Sequence, residues 1–215
     1  MNNIKIISFD VEGTLVSHEF SEVLWHEAIP LRYAKKYGIS TEQARKTTTE
    51  EFEKIGFQGM EWYDVRYWCN RFQLGNPEPI IRSCVDKIAY YSEVSEVLSS
   101  LAAHFELMVA STVPLYLLAY ILKDVAHYFT RVFSAISQYK QLKTAYFYSQ
   151  VCQMMDVEPA RIVHVGDDWK TDFLNPREVG INAFYLDREG GDSVDSLTDL
   201  TQLKSIVLDG SNSNN

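Results

Sequence analysis

Four sets of polar residues stand at the ends of short apolar runs. IKIISF (Ile4–Phe9) stops at Asp10, with Glu12 two residues on and then Gly13-Thr14. ELMVAS (Glu106–Ser111) ends in a hydroxyl, Ser111, with Thr112 after it. RIVHVG (Arg161–Gly166) gives way to Asp167 and Asp168, with Asp172 a few residues further. RVFSAIS (Arg131–Ser137) is followed by two lysines, Lys140 and Lys143. These types suit phosphoryl transfer. A carboxylate attacks phosphorus and forms an acyl phosphate. A second acid beside it protonates the leaving oxygen and then activates water. Clustered carboxylates repel one another unless a cation sits among them, and an all-oxygen donor set favours Mg2+. A lysine and a hydroxyl supply charge and a donor to a phosphate group. Each set alone has an ordinary explanation: Asp10 as a helix cap, Ser111 as a turn residue, Gly166-Asp167-Asp168 as a plain turn. Their common position is what carries the expectation, because an open parallel sheet binds its ligands at the carboxyl ends of its strands.

The elements that would place these residues alternate along the chain. Five apolar runs read as buried parallel strands: Ile4–Phe9, Glu106–Ser111, Arg131–Ser137, Arg161–Gly166 and Ala183–Asp187. A weaker one is Ser205–Leu208. Helix-length amphipathic segments fall between them at Glu93–Phe105, Pro114–Phe129 and Lys143–Met155. The pattern predicts an α/β fold with a doubly wound parallel sheet. Helix N-termini after Ser111 and Thr14 would add oriented N–H groups. From Ser17 to Tyr90 the rhythm stops, with helical runs and no strand. Ser40 and Gln43 form a capping-box pattern there, Gly38 marks a helix end, and Asn76-Pro77-Glu78-Pro79 marks a turn. The expected organisation is therefore a core from 1–16 and 91–215 with a helical domain inserted at 17–90. The insert's aromatics, Trp25, Tyr33, Trp62, Tyr63, Tyr67, Trp68 and Phe72, read mainly as its own core. Arg66, Arg71 and the hinge residue His18 read mainly as solvated surface.

Composition sets outer limits. The chain has 215 residues, 46% hydrophobic and 23% charged, with a formal net charge of −9. That charge argues against a general nucleic-acid binder, which needs a basic face. No apolar run approaches bilayer length, and the N-terminus reads as a first strand, not a signal peptide. Cys69, Cys84 and Cys152 are odd in number and widely spaced, as in a cytoplasmic protein with reduced thiols. The tail GSNSNN (210–215) reads as disordered.

With these motifs in order, the chain resembles the haloacid dehalogenase-like (HAD) hydrolase superfamily. Phe9-Asp10-Val11-Glu12-Gly13-Thr14 is similar to its first motif, LMVAS ending at Ser111 to its second, Leu142-Lys143-Thr144 to its third, and VHVGDDWKTD with Asp167 and Asp172 to its fourth. The insertion lies where that family carries a type-one helical cap. The resemblance implies a Rossmann-like core and a Mg2+-dependent phosphatase acting on a small phosphorylated metabolite, without nucleic-acid or membrane partners. It assigns Asp10 as nucleophile and metal ligand. Glu12 becomes the acid/base and offers its backbone carbonyl to the metal. Asp167 becomes a metal ligand, and Asp172 a ligand or its outer neighbour. Ser111, Thr112 and Lys143 hold the phosphate. Lys143 is preferred to Lys140 because it directly precedes a helix, and Asp168 receives no role. The departure is Glu12, where Asp is usual. It keeps the carboxylate and lengthens the side chain by roughly 1.5 Å. The enolase-phosphatase branch is similar in carrying DxEGT. An acid here argues against a dehalogenase, which needs no leaving-group proton. A dehalogenase or phosphonate hydrolase, and a non-catalytic phospho-ligand-binding protein, are the alternatives. A dinucleotide-binding domain is excluded, since no GxGxxG follows the first strand.

Overall fold

A computed structural model of the chain describes residues 3–190 and 196–212. The chain divides into two compact units, one formed by 1–16 with 90–215 and the other by 17–89.

The first unit is built on a six-stranded parallel sheet. Its strands are β1 (Ile6–Phe9), β2 (Glu106–Ser111), β3 (Arg131–Ser134), β4 (Ile162–Gly166), β5 (Asn182–Leu186) and β6 (Ser196–Leu197), in the spatial order β3-β2-β1-β4-β5-β6. β1 and β4 are buried along their whole length, as expected for strands covered on both faces. The strand order reverses between β1 and β4, the position where such sheets open a crevice. Register places Phe9 beside Val109 of β2 and Val165 of β4. Asp10 continues the ladder, donating its N–H to the Val165 carbonyl at 2.9 Å.

Two runs depart from expectation. The run Arg131–Ser137 is strand only to Ser134, whose hydroxyl accepts the Ser137 N–H at 3.1 Å and starts a helix. Ser205–Leu208 is not a strand but part of a helix running from Leu200 to Asn212. Leu200, Leu203 and Val207 are its buried positions, a helical spacing. That helix also takes in the start of GSNSNN, while residues 213–215 lie outside the described residues.

The helices are, in chain order, α1 (Glu19–Val23), α2 (Ile29–Tyr37), α3 (Thr41–Ile55), α4 (Val65–Arg71), α5 (Glu78–Arg82), α6 (Val94–Ala102), α7 (Leu115–Ile121), α8 (Ala135–Tyr139), α9 (Ala145–Met155), α10 (Asn175–Glu178) and α11 (Leu200–Asn212). The first five make up the second unit, where no strand occurs among the described residues. A wide turn at Leu24–Ala28 joins α1 to α2 just before Pro30, which has no N–H to give a regular helix. α3 opens on the predicted capping box, with the Gln43 N–H 3.2 Å from Ser40 Oγ and the Ser40 N–H 3.3 Å from Gln43 Oε1. The core of this unit is aromatic. Phe52 meets Trp68 edge-on at 4.6 Å and packs with Trp25, Trp62 and Phe72. Arg71 pairs with Glu51, and Arg66 and His18 are exposed. The three cysteines are free and buried. No described helix is long and apolar enough to cross a membrane.

Candidate active site

Each acid reaches the sheet edge by a local device. Asp10 and Gly166 end adjacent strands, so Asp167 follows beside Asp10. Asp168 is the cap of the next turn, Trp169–Leu174. Its Oδ1 accepts the N–H groups of Lys170 (3.0 Å) and Thr171 (2.7 Å), and that turn carries Asp172 back toward the strand ends. The return is close. A Cβ on Gly166 would stand 2.6 Å from Asp172 Cβ, so position 166 has no room for a side chain. Asp10, Asp167 and Asp172 each bring a carboxylate oxygen within 4.8 Å of the others.

Lys143 closes this cluster. Its ammonium donates to Asp10 Oδ1 at 2.7 Å and to Asp172 Oδ1 at 2.5 Å, and it is 3% exposed. Asn175 Nδ2 holds its backbone carbonyl at 2.7 Å, and Thr144 caps the helix that follows it. Lys140 is elsewhere, exposed, with its ammonium on the Ser137 carbonyl.

Four residues supporting the cluster were not singled out from the sequence: His164, Ser8, Tyr148 and Asn175. His164 is fully buried, with Nε2 2.9 Å from Asp172 Oδ1 and Nδ1 2.8 Å from Ser8 Oγ. Burial lowers its pKa, so the ring is neutral at physiological pH. An ionised Asp172 only accepts, which puts the ring proton on Nε2 and leaves Nδ1 to accept from the Ser8 hydroxyl. The Tyr148 hydroxyl donates to the Thr171 carbonyl at 2.8 Å and lies 3.0 Å from His164 Nε2.

The two buried carboxyls are pushed apart. Burial, helped by Asp172 and Asp167 against the pull of Lys143, raises Asp10 to about 7. Burial acts on Asp172 in the same sense, but Lys143 and His164 outweigh it and hold that acid at about 2. Burial disfavours the Lys143 ammonium, yet the two carboxylates overcome it and keep it protonated. Three carboxyl groups face a single ammonium, so once Asp10 gives up its proton the cluster carries a negative excess, which a divalent cation would balance. The donors are hard oxygens, so the residues fit Mg2+, which Asp10 and Asp167 could hold. Asp172 Oδ1 already accepts from Lys143 and His164, so it fits better as the residue that orients Lys143.

Ser111 is buried at the end of β2, its Oγ accepting the Val113 N–H at 3.3 Å, and Thr112 beside it is half-buried. The Leu115 N–H at the start of α7 is taken by Ser137 Oγ at 2.9 Å. No helix begins directly after Thr14; the first starts at Glu19. Instead the chain folds on itself: the N–H groups of Leu15 and Val16 reach the Val11 carbonyl at 2.8 and 3.0 Å, and Gly13 takes φ 70°, which favours glycine. Glu12 sits half-buried in this loop. Arg188, also not singled out from the sequence, donates to the carbonyls of Gly13 (3.1 Å) and Thr14 (2.6 Å).

A family model for haloacid dehalogenase-like hydrolases matches residues 4–174. Among solved structures, a HAD phosphatase from Thermococcus onnurineus aligns with a TM-score of 0.84 at 22% identity, over 97% of this chain and 99% of that one. A 2-haloacid dehalogenase from Pseudomonas syringae pv. Tomato DC3000 aligns at 0.69 and 16% identity, over 97% and 100%. A putative HAD hydrolase from Bacillus subtilis, bound to magnesium, aligns at 0.69 and 14%, over 96% and 100%. No curated protein matches. At such identities the likeness to solved structures is one of fold.

Proposed function

From the premise that the chain belongs to the haloacid dehalogenase-like hydrolases, as the family match over residues 4–174 shows, we propose that it is a Mg2+-dependent phosphatase of small phosphorylated metabolites. The observation that carries this is the charge of the site: three carboxylates drawn together around a single buried ammonium. Such a site welcomes a divalent cation and, through it, a phosphate ester. A haloacid brings a carboxylate and a departing halide into the same negative excess, and breaking its carbon–halogen bond gives Glu12 no proton to deliver.

When bound, the Mg2+ shields the charge of the phosphoryl group as it moves. The chain's own residues do the rest. Lys143 holds one oxygen of Asp10, favouring its ionised form, and leaves the other to attack phosphorus. As that P–O bond forms, the bond to the leaving oxygen breaks, and Glu12 gives that oxygen its proton. Glu12 then takes a proton from water, whose oxygen attacks the phosphorus. The bond to Asp10 breaks, releasing phosphate and restoring the carboxylate. Ser111, Thr112 and Lys143 hold the phosphate oxygens. The helical unit, 17–89, takes the part of the substrate-selecting cap.

Hydrolysis of an aryl phosphate by the purified protein tests this. Turnover should require Mg2+, stop with chelator, and fall by at least about a thousandfold in Asp10→Asn, the scale on which loss of a covalent nucleophile acts. If a broad panel of phosphate esters stays intact with Mg2+ present, the protein is a binder and not a phosphatase.

A further inference from the structure

Arg188 makes an unusual set of contacts for a residue in a loop after β5. Its guanidinium meets Gly13, Thr14, Glu93 and Tyr91. Nε and Nη2 donate to two consecutive carbonyls, Gly13 and Thr14, at 3.1 and 2.6 Å. Nη1 lies 2.8 Å from Glu93 Oε1. That oxygen makes no aligned hydrogen bond, so charge and not a directed bond holds the pair. The flat face stacks on Tyr91 with the guanidinium carbon 3.4 Å from the ring centre. Both charged side chains are about 15% exposed. A planar fork held on its edge, its end and its face has little freedom left, and lysine cannot reproduce it.

What the fork grips is the loop that carries Glu12. The two carbonyls belong to the residues directly after Glu12, where the backbone turns through the positive φ of Gly13. We propose that Arg188 is a positioning residue for Glu12: by fixing the Gly13–Thr14 peptide it fixes where the acid's carboxyl stands relative to the leaving oxygen. The Glu12 carboxyl stands at the end of a flexible side chain, so its place depends on a backbone held at a defined setting, and Arg188, aimed by Glu93 and Tyr91, sets it. Displacing a catalytic group by about 1 Å costs on the order of a hundredfold in rate. Arg188 itself touches none of the reacting atoms.

This inference rests on the phosphatase reading, and the test separates the two. Proton delivery matters most for a poor leaving group. An alkyl phosphate needs the acid to break its ester bond, whereas a nitrophenyl phosphate leaves largely unaided. kcat/KM would be measured for both esters in the wild type, Arg188→Lys, Arg188→Gln and Glu93→Gln, with melting temperatures alongside. In Arg188→Gln the alkyl ester should lose about a hundredfold and the nitrophenyl ester less than about tenfold, with Arg188→Lys between wild type and Arg188→Gln. Glu93→Gln, which frees the fork without removing it, should show a smaller loss with the same selectivity, and it answers the question if both Arg188 variants fail to fold. Equal losses on the two esters, tracking the melting temperature, would mean that Arg188 only holds the fold, and the inference falls. If the wild type hydrolyses neither these two esters nor any member of the broad panel, the phosphatase reading falls first and takes the inference with it.

Discussion

At the residue scale, the site rests on two acids in one cluster with opposite tendencies. Asp10 is raised to about 7 by burial and by its acidic neighbours. The stability it contributes as a neutral acid is therefore complete below its ordinary pKa and lost as pH rises through about 7. Asp172 is held at about 2, so its contribution is present above its ordinary pKa and lost as pH falls through about 2. Two results follow for the metal-free protein. Asp10→Asn should raise the melting temperature at pH 8 and much less at pH 5, by a few degrees at the usual scale of about 2–4 °C per kcal/mol. Mg2+ must displace the proton of Asp10 below pH 7, so affinity should rise with pH, and calorimetry in two buffers of different ionisation heat should detect proton release at pH 6 and little at pH 8. Affinity that is flat across that range would place the ion away from Asp10. That Asp10, Asp167, Asp172 and Lys143 come together was legible because acids and a lysine at strand ends have few structural uses. His164 and Ser8 were not, although a signal existed. They are the polar residues inside two otherwise apolar strands and stand opposite each other in register. Reading that signal requires knowing which strands are neighbours.

At the element scale, the fourth motif depends on a turn that brings Asp172 back onto Gly166. Gly166→Ala should force the two apart and cost about 1–3 kcal/mol, as overpacking does, read from urea denaturation. It should also weaken Mg2+ binding, because Asp172 and Lys143 move together. A variant as stable as wild type would mean that the turn can yield. In the helical unit, Ser40→Ala should cost about 1 kcal/mol by removing a cap whose two bonds are both formed. β1 to β5 were legible as short apolar runs, β3 only as far as Ser134. Ser205–Leu208 was misread because Ile206, Val207 and Leu208 look like a buried strand when taken alone. The helical spacing of Leu200, Leu203 and Val207 decides the matter over a longer window. The strand Ser196–Leu197 is too short to leave any period.

At the scale of the whole molecule, a cluster whose negative excess appears as Asp10 ionises ties the stability of the fold to its ion. Mg2+ at a hundred times its dissociation constant should stabilise the protein by about 2.7 kcal/mol, raising the melting temperature by about 5–10 °C, and chelator should reverse this. Asp10→Asn should show a much smaller response. An equal shift in that variant would mean that the ion binds elsewhere. The division of the chain was visible in the sequence because strand–helix alternation stops after the first motif and resumes near Tyr90. The contacts of Arg188 were not, because its partners lie far off along the chain, near its start and its middle, and two of them are backbone carbonyls, which leave no trace in residue type.

The central claim is that Asp10 carries the phosphoryl group in transit. The most direct test is to quench the protein in acid during turnover of a radiolabelled phosphate ester and map the label. A hydroxylamine-labile phosphate should appear on the peptide containing Asp10 and be absent in Asp10→Asn. Continued turnover with label on another residue, or with no labelled protein at any time, would contradict that claim.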